Sequence, residues 1–231
     1  MLEVAFHAEH ARPGADICSA LRLRNRSTAS DAVVRLTDIV VSLLGLIFLA
    51  PLMLIIAVLV YVTDPGPVLF GHQRVGRNAR FFRCLKFRTM VVDAEARLQD
   101  MLERDPWARA EWEAEHKLRS DPRITRIGRF LRRSSLDELP QLFNVLIGEM
   151  SLVGPRPIVI EEVQRYGRYF LSYCSVRPGI TGLWQVCGRN DVSYTRRVAM
   201  DVTYVRRKSL VLDMQIMLLT FPSVLKLRGA Y

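Results

Sequence analysis

From Ile39 to Val62 the chain reads IVVSLLGLIFLAPLMLIIAVLVYV, 24 residues without a charge. Only Ser42, Gly45 and Pro51 stand outside the hydrophobic set. A run this long and this apolar belongs in a membrane. It begins too far from the N-terminus for an ordinary signal peptide, and no small-residue cleavage site follows it. As a straight helix it would be about 36 Å long, enough for a hydrocarbon core of roughly 30 Å. Pro51 divides it into 12 and 11 residues. A mid-helix proline removes a hydrogen bond and kinks the helix, so each arm, roughly 18 and 16 Å, is about one leaflet deep. Arg22, Arg24, Arg26 and Arg35 precede the segment, while Arg74, Arg77, Arg80, Arg83, Lys86 and Arg88 follow it. Positive charge on both sides favours two cytoplasmic flanks and a re-entrant helix-break-helix. A kinked span stays open on the residues alone, because membrane helices tolerate proline.

The 231 residues suffice for one domain plus this anchor. The expected division is a polar N-terminal tail over 1–34, the membrane helix over 35–62 and a cytoplasmic domain over 63–231. The net charge is +10, and residues 1 to 38 hold five basic and five acidic side chains. The whole excess therefore lies beyond the apolar segment, which points to a polyanionic partner: nucleic acid, anionic lipid or a phosphorylated substrate. Cys18, Cys84, Cys174 and Cys187 have no metal-binding spacing and suggest no disulfide framework. His7 and His10 sit in the tail without acidic or cysteine partners, and His72 and His116 are isolated. There is no GxxxxGK[ST], GxGxxG or HExxH.

Beyond the breaker Thr63–Pro67, two apolar-rich arms flank Gly76-Arg77-Asn78 and predict a short β-hairpin. Residues 92–118 read as helix with Leu98, Met101 and Leu102 on one face, interrupted at Asp105-Pro106, where a new helix can start. Trp107 and Trp112 are expected in the core rather than at headgroups. Residues 209–227 predict an amphipathic helix, buried or lying on the membrane surface. The fold class is thus α+β, mainly helical, with a re-entrant anchor, a hairpin and amphipathic interfacial helices.

The stretch SSLDELPQLFN, Ser134 to Asn144, places Asp137 and Glu138 side by side after the run RFLRR. Ser135 and Glu138 match a capping box, with both acids in a first helical turn. Phosphate-binding chemistry surrounds them, however. Arg129, Arg132 and Arg133 lie just upstream, and GEMSLVGPRP supplies Arg156 between two prolines that stiffen its backbone. Neighbouring helical residues point about 100° apart, so the acids can divide labour, one attacking phosphorus and the other holding Mg²⁺.

In order along the chain, RLTD, CLKFRTM, DPRITRIGRFLRRSSLDELPQLFNVLIGEMSLVGPRP and VRPGITGLWQVCGRND resemble the monotopic phosphoglycosyl transferases. These are the bacterial sugar-1-phosphate transferases that load undecaprenyl phosphate, and the likeness runs from about Arg35 to the C-terminus. The resemblance implies a two-step reaction. Asp137 attacks the β-phosphate of a UDP-sugar, galactose or glucose, and releases UMP; undecaprenyl phosphate then takes the phosphosugar, the first membrane step of exopolysaccharide synthesis. It further implies Glu138 as a Mg²⁺ ligand, Arg133, Arg156 and Lys86 as phosphate contacts, and Pro51 as the break of a re-entrant helix. Arg35 and Asp38 match its motif before the membrane segment, and Gly179, Gly182 and Arg189 are candidates for shaping the nucleotide-sugar site. Localisation at the bacterial inner membrane follows, with the catalytic domain on the cytoplasmic face and membrane lipid as a partner; a homodimer is compatible with it. The alternatives are a membrane-tethered basic binding module and an inactive scaffold of polysaccharide assembly. Basic residues interleaved with Asp and Glu, and the lack of a nucleic-acid-binding signature, argue that nucleic acid is not the partner.

Overall fold

The computed structural model describes residues 28–115, 118, 121–187 and 192–225. Expectations for most of the tail, and for His7, His10, His116 and Arg189, fall outside them. Helix α1 spans Thr28–Thr63, so it starts ahead of the Arg35 boundary expected from the sequence. Among the described residues it is the one helix long and apolar enough to cross a membrane. It runs on through Pro51 where two separate helices were expected. One proline removes a single rung, and the remaining backbone bonds keep the helix going.

Burial along α1 is uneven. Val34, Asp38 and Ser42, four residues apart, are buried against the rest of the protein, and so are Ile56 and Val60 near the other end. Between them Leu44, Ile47, Phe48, Leu54 and Ile55 stand exposed, Phe48 at 83%.

Strands β1 (Leu69–Val75) and β2 (Phe81–Phe87) form the expected antiparallel hairpin. Asn78 at its turn takes the left-handed conformation, φ 57°, which asparagine tolerates better than most residues. Helices α2 (Ala94–Arg104) and α3 (Pro106–Glu115) follow. They break at Asp105-Pro106 as expected, because the Asp105 carboxylate accepts from the Trp107 and Ala108 amides at 2.9 and 3.2 Å and proline suits a first helical position. Leu98 is buried, but Trp107 is 86% exposed. The core placement expected for it is therefore wrong: it sits in the first turn of α3, on the side away from the body. Trp112 is half-buried and lies under the Arg123 guanidinium, 5.0 Å from the ring centroid.

Helix α4 (Arg126–Ser134) begins at Thr125, whose hydroxyl accepts from the Gly128 amide at 2.8 Å. A Cβ on Gly128 would lie 2.0 Å from the Thr89 carbonyl oxygen, so only glycine permits this approach to the segment just beyond β2. A short 3₁₀ turn, Leu136–Glu138, leads into α5 (Gln141–Ile147). Next come β3 (Ser151–Val153) and the short helices α6 (Val163–Tyr166) and α7 (Phe170–Cys174). Strand β4 (Gly179–Thr181) pairs in parallel with β3 and leads into α8 (Leu183–Cys187). Helices α9 (Tyr194–Arg207) and α10 (Leu210–Leu225) complete the described chain. In α10 Asp213 and Ile216 are buried, while Val211, Met214 and Leu218 form an apolar outer face.

Candidate active site

The hairpin, α5 and the loop after β3 are pinned together by two buried side chains. Asn144 of α5 is 1% exposed. Its Oδ1 accepts from the Leu85 amide at 3.0 Å, and its Nδ2 donates to the Arg83 carbonyl at 2.8 Å and to Glu149 Oε2 at 2.6 Å. It thus pairs with β2 as a neighbouring strand would, on either side of Cys84 and next to Lys86. The Tyr173 hydroxyl donates to the Val75 carbonyl at 2.7 Å and accepts from the Ile158 amide at 3.3 Å. This ties the end of β1 to the loop that carries Arg156.

Register does the rest. His72 lies opposite Cys84, and Phe70 opposite Lys86, so His72, Arg74, Cys84 and Lys86 share one face of the hairpin. That face is one wall of a cleft holding about 340 Å³ of empty space, part of it open to solvent. Glu138, Gln141, Arg156 and Gln185 line the cleft from the other elements.

Lys86 is the focus of the cluster. Its Nζ lies 2.6 Å from Glu138 Oε1 and 3.7 Å from Asp137 Oδ2. The capping box expected of Ser135 and Glu138 does not form: Ser135 takes the left-handed conformation and makes no side-chain cap bond. The long-range ion pair with Lys86 claims Glu138 instead. The turn also reconciles the two acids, because both meet one ammonium although they point in different directions.

Their environments differ. Burial pushes the Asp137 carboxyl above its ordinary value, against the opposing pull of Lys86. Glu138 is also buried, which would raise it, but Lys86, Arg156 and Arg74 together hold it below its usual range. Burial and the nearby Arg74 push His72 down, which keeps its imidazole uncharged at neutral pH. Arg74, Lys86 and Arg156 therefore gather around Asp137 and Glu138, and Arg74 Nη1 also lies 3.9 Å from Glu162 Oε2. The guanidinium forks of Arg74 and Arg156 suit the phosphate oxygens of a polyanion.

Of the residues expected at the site, Lys86, Glu138 and Arg156 line the cleft, and Asp137 adjoins it through Lys86. Arg133 does not line it. It lies on the exposed stripe of α4 with Arg126 and Arg129. The arginine near Asp137 is Arg132, half-buried, whose Nε donates to Thr89 Oγ1 at 2.8 Å and whose charge interacts with the Asp137 carboxylate. Helical spacing could have found it, since Arg132 is four residues from the buried Gly128 and Arg133 is not. Arg74 was also missed. Its Nη1 donates to the Pro157 carbonyl at 3.2 Å, next to Arg156, and strand alternation from Lys86 across the predicted turn was the available signal. Pro51 lies in α1, apart from this cluster. Among the described residues no group of three or more His, Cys, Asp and Glu side chains forms a metal cage.

Two acids, an ammonium and arginines thus converge in a protein that carries a helix long and apolar enough to cross a membrane. The sequence profile described as bacterial sugar transferase matches residues 29–227. The chain belongs to this family. It is 51% identical over 213 residues to the undecaprenyl-phosphate galactose phosphotransferase of Salmonella typhimurium, covering 91% of this chain and 44% of that protein. It is 50% identical over 207 residues to the UDP-galactose-lipid carrier transferase of Erwinia amylovora, covering 90% of this chain and 43% of that protein. With the exopolysaccharide production protein ExoY of Sinorhizobium fredii it shares 48% identity over 194 residues, 84% of this chain and 86% of that one. The chain thus spans less than half the length of the two longer relatives, and most of the length of the shorter one.

Proposed function

We propose that this bacterial sugar transferase moves a sugar-1-phosphate, galactose or glucose, from a UDP-sugar to undecaprenyl phosphate with release of UMP. The observation that carries the reading is the convergence of Asp137 and Glu138 on Lys86 beside Arg74 and Arg156. In the first step a carboxylate oxygen of Asp137 attacks the β-phosphorus. The bond from that phosphorus to the bridging oxygen breaks, and UMP leaves with the electron pair. A phosphate oxygen of undecaprenyl phosphate then attacks the aspartyl phosphosugar and returns the Asp137 carboxylate. Neither step needs a proton carrier. A carboxylate poorly stabilised by its surroundings is also a stronger nucleophile than a solvated one. Arg74, Lys86 and Arg156 bind and orient the phosphates and stabilise the charge spread over their oxygens in a loose transition state.

The residues fit a magnesium ion. The carboxylates and substrate phosphates make an all-oxygen donor set of the kind Mg²⁺ takes while keeping several waters, and the Lys86 ammonium stands in for a cation at Glu138. Glu138 would hold the ion, which would neutralise phosphate charge.

The anchor is read as re-entrant: a bend at Pro51 within the continuous helix would let it enter and leave on the cytoplasmic face of the inner membrane. Both ends of α1 pack on the same body while its middle is exposed and apolar, an arrangement unlike that of a helix leaving the domain to cross roughly 30 Å of hydrocarbon. The decisive experiment for the chemistry is UMP release by the full chain in nanodiscs, with Mg²⁺ and undecaprenyl phosphate, across a panel of UDP-sugars. Release with one donor that vanishes in Asp137→Asn is expected; undiminished turnover by that variant removes Asp137 as nucleophile.

A further inference from the structure

The cleft contains a buried polar atom that the transfer chemistry leaves idle. Gln185 of α8 donates from Nε2 to the Ile180 carbonyl at 3.0 Å, and this fixes which end of the amide is which. Its Oε1 is buried with no hydrogen-bond partner. An orphaned acceptor costs free energy, and such groups in native proteins call for an explanation. The chain also keeps room for this oxygen. A Cβ on Gly182 would lie 2.9 Å from Gln185 Oε1 and 2.3 Å from the Gly154 carbonyl oxygen, so a side chain at 182 would displace it. Gln185 lines the same cleft as Lys86, Glu138 and Arg156, the groups assigned to the phosphates. Gln141, 3% exposed, lines it as well. Because Gln185 lines the cleft, a turn of its side chain would bring this oxygen to what a bound pyrophosphate carries: a hexose at one end and a ribose at the other, both rich in hydroxyl donors.

We propose that Gln185 Oε1 accepts a hydrogen bond from a hydroxyl of the bound sugar nucleotide and thereby selects donors that present that hydroxyl. This rests on the transferase reading of the cleft. A site built to pair with one hydroxyl rejects analogues that lack it far more strongly than an apolar wall rejects an extra group. In the free protein the bond is open, and the ligand completes it.

The test is equilibrium binding to the full chain in nanodiscs, in an Asp137→Asn background that halts turnover. The ligands are UDP-galactose, UDP-glucose, their monodeoxy-hexose analogues and the 2′- and 3′-deoxyribose analogues. Removal of one particular hydroxyl weakens binding about tenfold, and its position, on hexose or ribose, names the source. Gln185→Met weakens the parent ligand by a similar factor and no longer distinguishes it from that deoxy analogue. Gln185→Glu keeps an acceptor and keeps the discrimination, although its charge beside the pyrophosphate weakens binding overall. If the protein with Gln185 intact binds every deoxy analogue as tightly as the parent, the proposal is overturned without any variant at 185. It is equally overturned if Gln185→Met preserves the discrimination. Failure of the transferase reading shows separately, as sugar nucleotide bound without UMP release by the unsubstituted protein.

Discussion

Replacing Asn144 with leucine isolates the contribution of the clamp between α5 and β2. Leucine matches asparagine in heavy-atom count and branching, and its bulkier methyl groups open no cavity, but three hydrogen bonds disappear. Glu149 is half-exposed and can turn to water. The Leu85 amide and the Arg83 carbonyl lose their side-chain partner. Both bonds are only partly buried and Arg83 is exposed, so water takes up part of the loss; at about 0.5–1.5 kcal/mol per bond the variant should lose roughly 1–3 kcal/mol. For a domain of this size about 1 kcal/mol moves the unfolding midpoint by roughly 2–4 °C, and the midpoint in nanodiscs should fall by roughly 2–12 °C. Below that midpoint UMP release should also fall, because β2 carries Lys86 and α5 follows the acids directly. Asn144→Asp keeps the acceptor for Leu85 but sets a carboxylate against Glu149, and should destabilise at least as much. An Asn144→Leu protein with an unchanged midpoint and unchanged turnover would refute the clamp.

Two further outcomes follow from burial. Asp201 accepts from the Tyr166 hydroxyl at 2.7 Å, and burial raises its pKa from 3.8 to about 7. The folded state therefore binds a proton that the unfolded chain releases between those values. The stabilisation, on the order of 4 kcal/mol, is full below 3.8 and is lost as pH rises through about 7. Unfolding midpoints should climb as pH drops from 8 toward 5.5, and Asp201→Asn should flatten that slope; an unaltered slope would assign it to other groups. For the anchor, cysteines placed at Val33 and Thr63 in a background lacking the four native cysteines should both react with a membrane-impermeant maleimide from the cytoplasmic face alone. Labelling of one from the opposite face would establish a crossing.

Much of this fold is legible because its signals are local. The hairpin turn is written in Gly76-Arg77-Asn78, and the break between α2 and α3 in a proline preceded by a capping aspartate. What was misread is settled at long range. Ser135-x-x-Glu138 has the spacing of a capping box, but Glu138 pairs with a lysine 52 residues upstream, and a charged partner in a buried cleft outweighs a cap exposed to water. Arg132 and Arg133 are adjacent and of one type, and only the helical spacing to Gly128 tells them apart. Close packing at Gly128 turns one inward and leaves the other in solvent. Arg74 is harder to find because its importance depends on the register of a strand pair, which has to be counted across the turn from Lys86.

The Tyr173 bridge has a consequence for how affinity is divided between folding and binding. Burial raises the Tyr173 hydroxyl pKa far above neutrality, so it keeps its proton and serves as both donor and acceptor throughout the physiological range. The strand bearing Arg74 and the loop bearing Arg156 are consequently aligned before any ligand arrives. Two guanidiniums on separate, independently moving segments would each lose freedom at the moment of binding, and that loss would subtract from affinity. Here the ordering is completed when the chain folds, so a nucleotide diphosphate would meet a receptor already in shape.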